Sequence, residues 1–376
     1  MLNKLRTWVS RAQTLQQASN APDVPGIASF DVIPGRLAAT VYEQEFEALG
    51  GRVHCWMYVS QGFVRVAGKE VVLSVERGAE HLEDCTSAVR DLFEWLHAQA
   101  LQARVGMGSI VSISADGPGL LGDPRLRGIA FIPTGSSGGP LPPASFTAVL
   151  LTQNELETAK RYGVVRLLGL LGHRYRRFPT AAWVVRGRPD ITSPEAMASS
   201  ILSKAASLRL SNCRAYLRGI ETARESRPPT GSLENNLVRF ARQEVVVEVA
   251  AREAEGASRL ISERWQYQAV ALFLCPDPDA DASLVWVPDS SSSTAAQTNV
   301  ISSEEGTGTR IAGNHVLFVP EQSRDEVRIV EDGFAVLLTN ETWLDISRRL
   351  ASPPQNWGMP FSDGIGFRLK VGTPDL

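Results

Sequence analysis

The side chains that could perform nucleophilic or acid–base chemistry are few and scattered. The chain has 5 histidines and 4 cysteines. His54 or His173 could act as a general base if a carboxylate oriented the imidazole and a nucleophile lay within hydrogen-bonding distance. A hydrolase with such a histidine site is therefore one hypothesis for the function, although no sequence motif places the three groups together.

Metal binding is not predicted. The four cysteines lie far apart without a CxxC pair, which is typical of reduced core thiols in a cytosolic protein. His54 and Cys55 are neighbours on a predicted strand and should point to opposite faces. The run from Asp277 to Asp281 lacks the glycine and the terminal glutamate of a calcium loop, so an acidic turn is expected.

The glycine-rich stretch 135–143 is predicted to be a connecting loop. A phosphate-binding loop needs a lysine and a serine or threonine after its last glycine, but Pro140 follows here. We do not assign the GSSGG string to a GxSxG nucleophile elbow. We therefore predict no cofactor and no catalytic residues at this loop.

The charge balance argues against nucleic acid as a partner. The 376-residue chain has a formal net charge of −3 and an estimated pI of about 6.0, without the basic surplus that binds phosphate backbones. Basic clusters at 173–177 and 186–188 could hold an acidic peptide or be a solvated face near a helix end. The chain also lacks a secretory signal and an apolar run long enough to span a membrane, which predicts a cytoplasmic protein without membrane contact.

The element that must position these residues is the stretch from Phe146 to Gly172. It reads as a buried strand to Leu151 that runs into a helix opened by the capping-box pair Thr152 and Glu155. Apolar residues then recur at helical spacing as far as Gly172. A second strand followed by a helix, with a similar Leu-Leu-Thr corner, spans 334–350.

Hydrophobic spacing predicts the other elements. Helices are expected at 3–18, 38–49, 81–102, 193–208 and 250–264. Strands are expected at 53–60 and 70–76 as a hairpin, and at 108–113, 127–133, 183–186, 237–249, 266–274, 284–287, 315–320 and 327–330. The predicted fold class is α/β of the α+β type.

Two domains are expected, because a single core rarely grows beyond about 250–300 residues. We predict an N-terminal α/β domain at 1–222, a linker at 223–236 rich in charge and proline, and a C-terminal α/β domain at 237–376. Each lobe should be a mixed or mostly antiparallel sheet packed with helices. A mobile loop is expected near 290–308, where serine, threonine and glycine dominate.

Several of these segments resemble, in order, those of the suppressor of fused family. They are VHCWMYVSQGF at 53–63, KEVVLSVER at 69–77, the helix and glycine-initiated strand at 89–113, the corner at 146–171, AAWVVRGRPDIT at 181–192, and DGFAVLLTNETWLDISRRL near the C-terminus. The likeness touches both halves of the chain, whereas 223–333 is barely matched.

The resemblance implies two α/β lobes that bind another protein without catalysis and without a cofactor. Animal members close over an extended peptide of a transcription factor, and bacterial members are associated with toxin systems as immunity proteins. Trp95 and Ser109 stand at positions that match the family's peptide-binding aromatic and acidic residues, so the acid is replaced by serine here.

Protein binding is therefore the first functional hypothesis: an immunity-like protein that holds a toxin, an effector or an extended peptide in or near a groove between the lobes. Trp95 and Trp183 could be anchoring aromatics or could pack in the core. A hydrolase, or an adaptor subunit of a larger assembly, are the alternatives. The oligomeric state is not predicted.

Overall fold

The computed structural model describes residues 26–372 with four longer gaps, at 135–144, 221–241, 276–309 and 360–364, the third of which is interrupted by two short strands. Shorter gaps lie at 49–50, 80, 103–104, 107, 115–116, 176, 178–179, 266 and 322. No helix in the described residues combines the length and the apolar character needed to cross a membrane.

The first sheet contains eight strands, β1 to β8. Their bounds are Ala28–Ile33, Leu37–Ala48, Gly51–Gln61, Glu70–Glu76, Ile110–Ser112, Leu126–Pro133, Ser145–Thr152 and Trp183–Val184. The order across the sheet is β1-β2-β3-β4-β7-β6-β5, and β8 pairs with β4. Helix α1 (Val64–Ala67) follows β3, and the long helix α2 (Leu82–Gln102) packs its apolar side on one face of the sheet.

The other face of the first sheet carries two helices where one was predicted. Helix α3 spans Gln153–Tyr162, and Thr152 and Glu155 form the expected capping box. Gly163, with φ 92° and ψ 144°, ends α3, and α4 (Val164–Arg174) starts immediately after it. The prediction of one continuous helix was wrong because the apolar spacing continues through this break.

Replacing Gly163 with alanine is expected to lower the free energy of unfolding by about 2 kcal/mol, since its backbone conformation is almost exclusive to glycine. Gly256, inside a later helix, is the matched control, because an added Cβ there would meet Leu208 only at an ordinary 3.7 Å. Gly256→Ala should be neutral or slightly stabilising. Equal denaturant midpoints for the two variants would contradict the prediction.

The remaining strands form two further sheets and one isolated pair. The second sheet has the order β17-β18-β16-β12-β9, with bounds Glu326–Val330, Gly333–Leu338, His315–Pro320, Val270–Cys275 and Ala206–Ser211. The third has the order β15-β10-β11-β20-β19, with bounds Arg310–Gly313, Arg214–Ile220, Arg242–Val249, Ile365–Val371 and Gln355–Met359. Strands β13 (Ser283–Val285) and β14 (Thr294–Ala296) pair with each other.

Three helices accompany these sheets: α5 (Pro194–Ser199), α6 (Ala251–Arg264) and α7 (Asn340–Leu350). Helices α6 and α7 are joined through Trp343, which is 1% exposed and donates its indole N–H to the Ile261 carbonyl at 2.8 Å. They share a buried core with the second and third sheets.

Helices α3 and α4 lie between the first and the second sheet. Apolar side chains of β6 and β7 pack on them from one side, and side chains of β12, β16 and β18, among them Phe273 and Leu317, pack from the other. The two halves of the chain thus share a buried core. In the described part of this contact, apolar side chains surround a buried ion pair where α4 meets the second sheet.

The α+β class is confirmed, with mixed sheets packed against helices. Two predicted helices were wrong. Residues 38–48 of the helix predicted at 38–49 form most of β2, because they pair with β3 along their whole length. Only Pro194–Ser199 of the helix predicted at 193–208 is α-helical; a 3₁₀ turn (Ile201–Lys204) and β9 follow.

The predicted domain division stays a prediction. Strands β9 and β10 precede residue 222 but pair with β12, β11 and β15, which follow it. The linker at 223–236, the helix at 3–18, the glycine-rich loop and the acidic turn at 277–281 lie outside the described residues. So does the loop at 290–308, apart from strand β14.

Candidate protein-binding site

Strands β2 and β3 extend beyond the rest of the first sheet as a two-stranded ribbon. They pair from Ala38↔Gln61 to Ala48↔Gly51. Strand β1 pairs with β2 only up to Val41, and β4 pairs with β3 only from Cys55 onward. Within the described residues, positions 42–48 of β2 therefore have a strand partner on one side only. We call this part of β2 the open edge.

Two backbone hydrogen bonds show which peptide groups face the open edge. Ile27 donates to the Val41 carbonyl at 2.8 Å, so the backbone groups of Val41 face away from β3. Arg77 donates to the His54 carbonyl at 2.9 Å, so the backbone N–H and C=O of His54 face β4. The backbone groups of the next residue, Cys55, therefore face β2, where Cys55 lies opposite Gln44. Because these directions alternate along a strand, the N–H and C=O groups of Glu43 and Glu45 face the open edge.

The side chain of Gln44 supports this assignment. Its amide Nε2 donates to the Glu45 carbonyl at 2.7 Å, which requires that carbonyl to be accessible beside the strand. Over positions 42–46, the other outward groups are the N–H of Glu45 and both groups of Glu43, and they have no strand partner among the described residues. The open edge thus offers a short row of backbone donors and acceptors.

One face of the ribbon is charged. Glu43 binds Arg77 at 3.1 Å, and Glu45 binds Arg52 at 3.2 Å and the Nδ1 atom of His54 at 3.1 Å. Glu43 and Glu45 are exposed. All these partners come from β3 or from the residue after β4, so the two acidic side chains lie nearest to the open edge.

The opposite face of the ribbon is aromatic. Phe46 stacks on Trp183 with ring centroids 5.2 Å apart, and Tyr175 meets Trp183 edge-on at 6.0 Å. The Arg177 guanidinium lies 5.9 Å from the centre of the Phe46 ring. Trp183 itself is only 5% exposed. It therefore supports Phe46 from behind and holds the ribbon against the body of the sheet.

The structure does not bring the predicted site residues Trp95 and Trp183 together. Trp95 lies on α2, half-buried against the core that contains Trp56, whereas Trp183 packs with Cys55. Cys55 and Trp56 are neighbours on β3, so their side chains point to opposite faces of the sheet. Trp183 and Trp95, which pack on these two faces, therefore lie on opposite sides of the first sheet.

Ser109 lies just before β5. Its hydroxyl donates to the Gly106 carbonyl at 2.6 Å and accepts from the Gly106 N–H at 2.9 Å, so it holds a tight turn. Its backbone carbonyl accepts from Phe131 of β6 at 3.2 Å. A binding role for Trp95, Ser109 and Trp183 stays a prediction.

A buried charge cluster joins α4 to the second sheet. Arg166 is 0% exposed, and its Nη1 atom is 2.5 Å from Oδ1 of Asp332, in the two-residue turn between β17 and β18. Arg166 also contacts Glu331, which accepts a hydrogen bond from Ser200. Asn314 donates to Asp332 Oδ2 at 3.2 Å. This network connects residues far apart in the chain inside the shared core.

The charges of this cluster are interdependent. Burial alone would raise the pKa of Asp332, but the positive charge of Arg166 and the hydrogen bond from Asn314 outweigh it and hold the pKa below its ordinary value. His315, 3.5 Å from Asp332, is completely buried, and this burial lowers its pKa to about 4. Asp332 opposes this shift of the pKa, whereas Arg166 and His173 contribute to it. His315 is therefore neutral at physiological pH.

The histidines considered for a hydrolase lie in different surroundings. His54 is exposed on the ribbon and contacts the Glu45 carboxylate. His173 is half-buried in the last turn of α4, and His315 is sealed from solvent. In the described part of the chain, no group of three or more His, Cys, Asp and Glu side chains is arranged to hold a metal ion. The hydrolase hypothesis is not tested by these positions.

The sequence analysis predicted neither the open edge nor the buried charge cluster around Arg166. The open edge was missed because 38–49 was assigned to a helix. Arg166 and Asp332 are 166 residues apart, and no local pattern indicates that they meet.

No family model matches this chain, and no curated protein matches it. Among the solved structures, a chain from a structure described as "the Sufu-Fu complex crystal structure" is similar with a TM-score of 0.33 and 11% sequence identity, over 48% of this chain and 91% of that chain.

Proposed function

We propose that this protein acts by binding another protein rather than by catalysis, and that an extended segment of the partner adds to the first sheet at the open edge. The observation that carries the proposal is the row of outward N–H and C=O groups at Glu43 and Glu45. Unpaired strand edges are templates for a further strand, and such pairing supplies backbone hydrogen bonds without dependence on sequence.

The ribbon suits this role because it is held in place before binding. The aromatic stack of Phe46, Trp183 and Tyr175 holds one face, and the exposed Glu45–Arg52 and Glu43–Arg77 pairs lie on the other. A rigid edge loses little conformational entropy when a partner strand is added. The affinity can then come from the hydrogen bonds and the side chains beside them.

A toxin or effector protein is the class of partner that we propose, so that the chain would have an immunity-like role. The ordered motifs that resemble the suppressor of fused family support this choice. An adjacent toxin gene would strengthen it, because immunity genes and toxin genes are inherited together.

Replacing Glu45 with proline is expected to abolish capture of the partner while the protein stays folded. Proline removes the outward N–H, and its ring blocks the approach of an added strand, but no hydrogen bond to β3 is lost. Glu45→Ala removes the same charge and keeps the N–H. We expect capture with Glu45→Ala to exceed capture with Glu45→Pro by about tenfold or more.

The measurement is a quantitative pull-down of the tagged full-length protein from the cells that make it, with the bound protein identified and its ratio determined. Circular dichroism and thermal unfolding of both variants check the fold. Equal capture of one stoichiometric partner by wild type, Glu45→Ala and Glu45→Pro would place the binding surface elsewhere and overturn the proposal.

A further inference from the structure

We propose that the segment bound at the open edge is basic, with lysine or arginine at alternate positions opposite Glu43 and Glu45 and apolar residues between them. This inference rests on the proposed function and adds the chemistry of the partner. It follows from the two faces of β2, which differ in charge over positions 42–46.

The register of an added strand fixes which side chains meet. The outward peptide groups belong to Glu43 and Glu45, so these residues form the hydrogen-bonded pairs with the incoming strand. Directly opposed side chains on one face lie about 5 Å apart, close enough for opposite charges to interact. A residue opposite Glu43 or Glu45 therefore lies on the charged face of the ribbon.

Glu43 can accept a further cation, whereas each oxygen of Glu45 already contacts Arg52 or His54. Arg77 contacts only Oε1 of Glu43, and Oε2 has no partner among the described residues. The Arg52, His54 and Arg77 side chains that neutralise the two glutamates come from the β3 side of β2. A lysine or arginine on an added strand would approach from the other side of β2, where no strand lies among the described residues, whereas an acidic residue there would be repelled.

The residues of the bound segment that face Tyr42 and Phe46 should be apolar. Tyr42 and Phe46 lie half-buried on the opposite face, where Tyr42 packs near Met57 and Phe46 packs on Trp183. Apolar side chains opposite Tyr42 and Phe46 would cover these rings, and an apolar side chain between the basic residues would lie opposite Gln44 and diagonal to both rings. The favoured segment thus alternates basic and apolar residues.

A second copy of this chain fits the edge poorly. Pairing of two open edges would bring the glutamates of one copy beside those of the other, and opposed like charges destabilise a strand pair. The occupant to which we commit is therefore a basic segment of another protein.

The test uses three synthetic ten-residue peptides in which valine alternates with lysine, with glutamine or with glutamate. Their binding to the full-length protein is measured by fluorescence anisotropy at about 50 and 300 mM salt, because exposed charge pairs weaken with ionic strength. We expect the lysine peptide to bind about tenfold more tightly than the glutamine peptide at low salt. The glutamate peptide should not bind.

Charge reversal provides the sharpest control. Glu43→Lys/Glu45→Lys should lose the lysine peptide and gain the glutamate peptide. Glu255→Lys/Glu263→Lys, which makes the same change of charge on exposed positions of α6, should leave the order of the peptides unchanged. Equal binding of the lysine and glutamine peptides, or the same effect from both charge reversals, would overturn the inference.

Two further results separate this inference from the proposed function. If the glutamine peptide binds as well as the lysine peptide and Glu45→Pro abolishes both, strand addition stands and the basic preference fails. Hydrogen exchange of the Glu43 and Glu45 amides should be fast in the free protein and slow with the lysine peptide. Slow exchange in the free protein would mean that the chain's own residues or a second copy occupy the edge, and both proposals would fail.

Discussion

Arg166→Ala is expected to lower the free energy of unfolding by about 3–5 kcal/mol, the cost of leaving a buried carboxylate without its partner. Asp332 is 3% exposed and is held ionised by Arg166. Without the guanidinium, Asp332 must either stay charged in the core or take up a proton. The apolar contacts between α4 and the second sheet lie around this pair, so their packing should loosen as well.

Arg174 is the matched control, because it lies on the same helix with an exposed side chain. Arg174→Ala should change the free energy of unfolding by no more than about 0.5 kcal/mol. Chemical denaturation at pH 7 measures both variants. A loss below about 1 kcal/mol for Arg166→Ala would contradict the assignment of a buried ion pair.

A double-mutant cycle distinguishes the ion pair from simple loss of packing. Arg166→Ala/Asp332→Ala removes both charges, so the double variant should be more stable than the sum of the single losses predicts. The expected coupling is about 1–3 kcal/mol. Additive losses would mean that the two side chains stabilise the core independently.

The elements that the sequence predicted correctly are those with a strong local pattern. Helix α2, the β3–β4 hairpin and the corner of β18 and α7 each show apolar spacing that matches the observed period. Thr152 and Glu155 were predicted to open a helix because a capping box is a contact between residues three apart. In these segments the local preference and the tertiary packing agree.

The errors fall where tertiary contacts decide the structure. Residues 38–49 contain three alanines and three glutamates, which favour a helix in isolation. Pairing with β3 along the whole strand outweighs that preference. The open edge is a property of where β1 and β4 stop pairing, and the Arg166–Asp332 pair depends on how two distant segments pack. Neither is present in any single stretch of sequence.

Acid should destabilise the folded protein through His315 well before its carboxylates are protonated. The pKa of His315 falls from 6.5 to about 4 in the folded protein because the buried site disfavours the imidazolium. Between these two values the unfolded chain binds a proton at this histidine and the folded chain does not, so stability decreases as the pH falls. At 1.36 kcal/mol for each pH unit, the loss approaches about 3 kcal/mol by pH 4.

Three charged groups act on the pKa of His315. Asp332 favours protonation, whereas Arg166 and His173 oppose it. His315→Gln removes the titrating ring and should flatten the stability curve between pH 6.5 and 4, whatever its effect at pH 7. Urea denaturation at several pH values measures this difference in slope. The same slope in wild type and variant would show that His315 does not stay neutral in the folded protein, and that another group is responsible for the acid sensitivity.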